Sequence, residues 1–579
     1  MRRAWFALAP FLVLASAPAA QARDATVTSF DGTQIQLSFM PADGGGKHPT
    51  VLEGHGWGGS RDTNPDSASD EATGNVGVGA LRKAGFNVLT WDARGFGNSG
   101  GTVEVDSPDF EARDVSALID WLATQPEAKL DKAGDPRVGM TGVSYAGGIE
   151  LVTAPQDARI DAIAPIIAWH SLTSSLYKEE TVKGGWASLL YTAGVPTSKN
   201  RLDPHITSAF TSGLASGTLS ADDRAWFASR GPGDAVGRIK VPTLLVEGTA
   251  DTLFTLHEAI ENYAILRGNG VPAKLVWFCG GHGVCLTGNG SSGAPRDSLT
   301  ARSGPAGHVE ADVVAWLKRY LAGDTAVDTG PRFEWLADDA KWRAGDDYPL
   351  PAGPRSTASG SGTLVLNPAD AVSGTPIAAG RAANAVNVAV DGSGKQIVGE
   401  PTLTLSYSGT GAGTHVFAQL VDEARNVVVG NQATPIPVTL DGQPHTITRP
   451  LEAIASAGGK YTLQVIGGTM LYGPVRGVAA ITFSKIQLSL PTVGAEPPLL
   501  APRRTCVSNR KFEIRLPKSV RSARVTVNGK RVKTFRRAGR LRSVVDLRGR
   551  TRSTVKVKVV ARTKGGRTLR QTRTYHICK

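Results

Sequence analysis

Long apolar runs are nearly missing from this chain of 579 residues: beyond the first twenty positions, no stretch approaches the length needed to span a bilayer. The mature chain is therefore expected to be soluble or loosely wall-associated, with no transmembrane segment. Cysteine is scarce as well, and four residues allow only three pairings. Acidic residues almost vanish from the last 79 positions, where Glu513 and Asp546 face 26 Lys plus Arg, a balance of +24. The preceding 500 residues carry 38 bases and 49 acids, or −11, so the overall +13 describes neither part. A nucleic-acid reading cannot rest on that total. What is present, 41% apolar and 20% charged positions, belongs to a globular protein with several cores and excludes fibrous, collagen-like and wholly disordered chains.

The one long apolar run, Ala4 to Ala20, follows Arg2 and Arg3 and ends in Ala20-Gln21-Ala22, the small-x-small form that signal peptidases accept. Pro10 and Pro18 interrupt it, which argues against an uncleaved anchor. Residues 1–22 read as a signal peptide cleaved before Arg23, which makes the protein secreted or associated with the cell envelope. Export permits disulfides. Cys279 with Cys285, six apart in one loop, and Cys506 with Cys578, bracketing the basic tail, are the natural pairs. A bridge closing the larger loop adds about 4 kcal/mol in the chain-entropy model.

From Val27 to about Leu321 short apolar strands (VLEGH, FNVLTWD, RVGMTGV, IDAIAPIIAW, TLLVEGT, AKLVWFCG) alternate with amphipathic helices such as FEARDVSALIDWLATQ. The alternation predicts an α/β domain over 23–330, a mostly parallel sheet with helices on both faces. It lapses over 169–238 into a helical, Ser- and Gly-rich insertion, placed where a short cap over a site would be. Beyond 330 helices stop, and 331–492 reads as strands and turns, a jelly-roll β-sandwich. A Pro-rich linker over 493–503 leads to a small, basic, all-β domain over 504–579, in which Asn528-Gly529 between alternating strands signals a hairpin.

A Gly-x-Ser-x-Gly string marks the strand-to-helix turn that exposes a serine at the top of an α/β-hydrolase sheet, although 39 serines and 68 glycines supply about half of one such string by chance. GNSGG puts Ser99 in a Gly-rich loop with no helix following, which reads as a structural turn. GVSYAG puts Ser144 directly after one apolar strand and directly before the helix-forming YAGGIEL. A serine hydroxyl needs a base and an orienting carboxylate. In this fold they follow in the order serine, acid, histidine. LLVEGTAD delivers Asp251 beyond its strand, and AKLVWFCGGHG delivers His282 beyond the next. Glu247 is a rival acid placed within the strand end, and His308, at the start of the last helix, a rival base better read as packing or capping. A Cys279–Cys285 bridge would encircle His282 and stiffen its loop. For the oxyanion, donors are expected from the backbone N–H of Tyr145 and of Trp57 in EGHGWGGS, with His55 ordering that loop.

The run DSPDFEARDVSALIDWLATQPEAKLDKAGDPRVGMTGVSYAGG, with VTSFDGTQIQLSFMP and WDARGFGNSGG before it, resembles the Xaa-Pro dipeptidyl-peptidase family, which includes cocaine-esterase-like acyl esterases and α-amino-acid ester hydrolases. The resemblance covers about residues 26–490. It implies an α/β-hydrolase followed by a jelly roll, with Ser144 as nucleophile, Asp251 as acid and His282 as base. Cocaine-esterase-like members place a tyrosine hydroxyl in the oxyanion hole, where this chain has GHGWGG.

The expected function is a secreted serine hydrolase that cleaves acyl ester or peptide bonds, with no metal and no organic cofactor. Removing an N-terminal dipeptide requires a carboxylate for the substrate ammonium, and Glu179 and Glu180 in the insertion are candidates, with a solvated helix face as their plain alternative. Trp169, Tyr177, Trp186 and Tyr191 are candidates for an apolar acyl or aromatic pocket. The basic tail suits an anionic envelope polymer. It shows no aromatic stacking surface, and secretion makes nucleic acid an unexpected partner. The alternative from another class is an inert envelope-binding protein that uses its β-sandwiches.

Overall fold

Each apolar run of the first half becomes a strand of one sheet in the computed structural model, which describes residues 21–70, 72–283, 285, 305–500, 511–516, 519–537, 539–548 and 554–576. Residues 1–20 of the expected signal, and Cys506 and Cys578, lie outside these residues. The sheet has ten strands. Its parallel centre runs in the order Asn87–Trp91, Thr50–Glu53, Val138–Val143, Ile160–Ile166, Thr243–Gly248, Ala273–Phe278. Neighbouring strand residues face opposite sides, so Leu52, Leu89, Leu245 and Leu275 join one core while Val51, Val88, Leu244 and Val276 join another. Both faces are therefore apolar, as a sheet covered by helices on each side requires. The helix Glu111–Leu122 covers the first face with Val115, Leu118, Ile119 and Leu122, spaced as one helical stripe, and opens with Glu111 and Asp114 at its N-terminal turn. The helix Pro305–Tyr320 covers the second with Val309, Val313, Trp316 and Leu317.

The sheet does not end at residue 330 as the sequence suggested. Phe333–Leu336 pairs parallel with Ala273–Phe278, and Trp342–Gly345 closes the edge antiparallel. These two strands are short and apolar and follow the last helix, so by pattern alone they are indistinguishable from the strands after them. Nor do residues 493–500 of the expected linker hang free: Ala344 donates to Pro498 and Leu500 to Trp342, which lays them along that edge strand. The insertion is helical, with Leu172–Leu176, Gly184–Thr197, Pro204–Ser216 and Ala221–Ala228.

Past this edge, a four-stranded antiparallel sheet (Ser356–Leu366, Ala479–Leu490, Thr402–Gly411, His445–Pro450) faces a second one built around Ala385–Asp391, Lys460–Ile466 and His415–Asp422. Alternate residues fill the space between them: Val386, Val388 and Val390 against Leu403, Leu405 and Tyr407. In Ala479–Leu490 the buried set shifts phase from Ile481 and Phe483 to Ile486 and Leu488, because the register slips where Ser406 and Tyr407 oppose Lys485 and Phe483. One extra residue is taken up there as a bulge. The basic end forms a separate small core around Val525, Val545, Val555 and Val557. Its hairpin turns at Asn528-Gly529, both at positive φ (46° and 82°), the geometry this dipeptide favours. No helix among the described residues is long and apolar enough to cross a membrane.

Candidate active site

Ser144 stands between the strand Val138–Val143 and the helix Tyr145–Thr153 with φ 59° and ψ −118°, a strained conformation for a residue with a Cβ. The surroundings enforce it: Ser144 N–H donates to Ile166 on the next strand, and its carbonyl accepts from Gly147 and Gly148. Two residues beyond the serine stands Ala146 rather than glycine. Its methyl group fits because two neighbours lack one: a Cβ on Gly142 would lie 2.4 Å from Ala146 Cβ, and one on Gly54 2.9 Å away.

The strand Ala273–Phe278 delivers His282 to this turn, and Thr243–Gly248 delivers Asp251. The Ser144 hydroxyl lies 2.8 Å from His282 Nε2, and His282 Nδ1 lies 2.7 Å from Asp251 Oδ2. His282 N–H donates to the same oxygen at 2.8 Å, while Leu253 and Phe254 N–H donate to Oδ1 at 2.9 and 3.0 Å. Asp251 is fully buried with both oxygens used. Trp186 and Phe254 meet the imidazole edge-on at 5.7 and 5.2 Å. A Cys279–Cys285 disulfide closes the loop around His282.

Sequence reasoning missed the groups that hold the acid loop. Lys183, buried in the insertion, donates from Nζ to the carbonyls of Thr252 (2.8 Å) and Leu253 (3.1 Å). Burial lowers its pKa to about 8. From the β-sandwich, Gln432 Nε2 donates to the Asp251 carbonyl, the Ile377 carbonyl accepts from Thr252 Oγ1 at 2.7 Å, and Glu452 accepts from Thr255 Oγ1 at 2.6 Å while pairing with Lys178. Burial alone would raise the Glu452 pKa, but Lys178 and Lys183 bring it down to about 2. Nothing in local sequence pattern couples positions nearly 200 residues apart.

The remaining candidates sort by their partners. Ser99 is buried, donating to the Asp92 carbonyl and accepting from Gln36 N–H. Glu247 is buried in its strand and accepts from Gly248 N–H. Burial, reinforced by the Asp251 charge, raises its pKa. His308 bonds Glu334 at 2.6 Å and stacks on Trp342. With Asp312 these groups present ligand atoms within 4.8 Å of one another, but Lys274 Nζ already bonds both carboxylates, at 3.0 and 2.5 Å. His55 donates from Nδ1 to the Gly56 carbonyl and accepts at Nε2 from Ala93 N–H, tying its loop to the sheet.

Trp57 and Tyr145 line the cavity that opens on Ser144, their rings in edge contact at 5.5 Å. Trp169, Tyr177 and Tyr191 line it too. Trp186 does not; its indole donates to Thr252 Oγ1 at 3.0 Å and its ring backs His282. Glu179 and Glu180, the candidate substrate carboxylates, are turned elsewhere. Both have positive φ (50° and 61°), and they pair with Arg449 (3.2 Å) and Arg224 (3.4 Å) outside the cavity. Adjacency to the insertion suggested them; the kinked turn between helices directs them away.

Residues 31–284 match the family described as X-Pro dipeptidyl-peptidase (S15 family). Over 135 residues, 23% of this chain, the sequence is 30% identical to an uncharacterized 31.7 kDa protein of the traX-finO intergenic region of Escherichia coli. The match spans 42% of that relative's length. An α-amino acid ester hydrolase superposes with a TM-score of 0.61 at 14% identity, over 83% of this chain and 99% of that one. An aminopeptidase from a Thaumarchaeota archaeon gives 0.59 at 14% identity, over 82% and 96%. A CocE/NonD family hydrolase from Staphylococcus aureus gives 0.56 at 14% identity, over 82% and 97%. At such identities the likeness is one of fold, an α/β-hydrolase followed by a sheet-rich region.

Proposed function

We propose that this chain, whose residues 31–284 match the family described as X-Pro dipeptidyl-peptidase (S15 family), is a secreted serine hydrolase cleaving acyl ester or peptide bonds. The observation that carries this is the unbroken hydrogen-bonded chain from Ser144 through His282 to Asp251. In the forward step Ser144 Oγ attacks the substrate carbonyl carbon while His282 Nε2 takes its proton. Asp251 holds the imidazole with Nδ1 protonated, so that Nε2 is free to accept, and stabilises the imidazolium that forms. The backbone N–H groups of Trp57 and Tyr145 receive the negative oxygen, Tyr145 as the first residue of its helix, where N–H groups have no partner within the helix. His282 then gives its proton to the leaving group, and water, activated by the same nitrogen, releases the acyl group from Ser144.

The finer architecture belongs to this proposal. The helices of 169–238 act as a cap, the sheets after 345 form a jelly roll, and the basic domain keeps the secreted enzyme at an anionic envelope. The deciding experiment is hydrolysis of short nitrophenyl esters by the purified protein and by Ser144→Ala. We expect kcat/KM to fall by at least about 10³-fold in the variant. Equal turnover by both proteins would remove Ser144 from the mechanism.

A further inference from the structure

The cavity beside Ser144 encloses about 920 Å³ of space, the open solvent at its mouth included. Its wall is apolar, drawn from Leu172, Leu176, Val182, Ile206, Phe210 and Phe254 among others. Its polar side chains are the hydroxyls of Ser144, Tyr145, Thr173, Tyr177 and Tyr191 and the indoles of Trp57 and Trp169, and no carboxylate lines it among the described residues. The carboxylates nearest the cavity lie outside its wall. Glu258 accepts from His170 and Ser171 N–H and from Ser174 Oγ. Glu104 pairs with Arg230 at 3.0 Å. Asp106 and Glu111 lie in a separate small cavity behind Tyr145, where burial favours their neutral forms. Glu179 and Glu180 hold arginines outside.

Building on the serine-hydrolase reading above, we infer that this pocket takes an uncharged, bulky, apolar acyl group, and that an acyl group with a free α-ammonium is rejected. An ammonium brought into such a wall loses its water and gains no countercharge. An alkyl or aryl chain gains at each methylene buried, about fourfold per methylene in the transition state when burial is complete. The family match and an aminopeptidase of the same fold suggest recognition of a substrate's free N-terminus. Among the described residues the wall of this cavity supplies no carboxylate for that contact.

The test uses the full chain and two substrate series. Across 4-nitrophenyl acetate, butyrate and octanoate, kcat/KM is expected to rise by at least about 100-fold. In a pH-stat at neutral pH, N-acetyl-phenylalanine ethyl ester is expected to be hydrolysed at least about tenfold faster than phenylalanine ethyl ester. A flat or falling chain-length series, or preference for the free amine, overturns the inference, and if a fluorophosphonate still labels Ser144 the hydrolase reading stands. No turnover in either series together with no labelling of Ser144 overturns both.

Discussion

Ser144 is held in a backbone conformation that side chains avoid, and small residues around it bear that strain. Gly142 and Gly54 leave the space that Ala146 fills. Gly142→Ala would press one methyl group on another at 2.4 Å. We expect it to cost about 1–3 kcal/mol of stability and to lower kcat by shifting the turn, while Gly142→Ala with Ala146→Gly recovers most of both. A wild-type Tm and kcat in the single variant would show that the contact is slack. At Asp251 the carboxylate is surrounded by donors, so Asp251→Asn turns its NH2 group either on Leu253 and Phe254 N–H or on His282 N–H and Nδ1, where it favours the wrong imidazole tautomer. We expect kcat to drop by about 10⁴-fold with little change in KM. At this scale much was legible. Chain order and strand ends pointed to the serine, acid and histidine that the fold brings together. For Glu179 and Glu180 the choice between substrate contact and solvated face stayed open in the sequence, because a turn's direction depends on backbone angles that charge and adjacency do not encode.

At the scale of elements, the loop 251–255 is gripped from two sides, by Lys183 and Trp186 of the insertion and by Ile377, Gln432 and Glu452 of the β-sandwich. The sandwich thus helps to position the acid. Glu452 gives this grip a pH signature. Its folded pKa, about 2, lies below the ordinary 4.5, so its contribution to stability is complete above about pH 4.5 and is lost as pH falls toward 2. Glu452→Gln is expected to be less stable than the parent by about 3 kcal/mol at pH 7, because the buried Lys183 and the partly buried Lys178 lose this counterion. The gap should narrow progressively below pH 4.5. Chemical denaturation of both proteins from pH 7 to pH 3 reads this directly, and a gap independent of pH would assign the loss to packing alone. No pattern in the sequence announced this grip, since its two sides become neighbours only after separate sheets have folded. The strands themselves were legible from alternation, apart from the bulge near Ser484, where one inserted residue reverses the faces.

For the whole molecule, the boundary drawn from composition at 330 matters. The strands Phe333–Leu336 and Trp342–Gly345 complete the hydrolase sheet, and Phe333 and Trp335 belong to its core. A fragment of residues 23–330 is expected to be insoluble or molten, whereas 23–503 is expected to fold and to keep the parent's kcat/KM on a short ester. A soluble, active 23–330 fragment would contradict this. Deleting 504–579 removes +24 of charge apart from Arg503 and should abolish salt-sensitive retention on anionic cell-wall polymer without affecting hydrolysis. Undiminished retention would assign that binding to the acidic part of the chain. The opposite charge of the two parts was plain in the sequence. The packing of 493–500 along the sheet edge was not, because a Pro-rich composition reads as a linker whether or not the segment is docked.

The proposed mechanism stands on Ser144 as a nucleophile activated by His282. The measurement that tests it most directly is peptide mass mapping of the purified chain after brief exposure to a fluorophosphonate, in parallel with Ser144→Ala and His282→Ala. One adduct is expected on the peptide carrying Ser144 in the parent, none in Ser144→Ala, and labelling slowed by orders of magnitude in His282→Ala. An unmodified Ser144 peptide in the folded parent, or labelling at the same rate without the histidine, would contradict it.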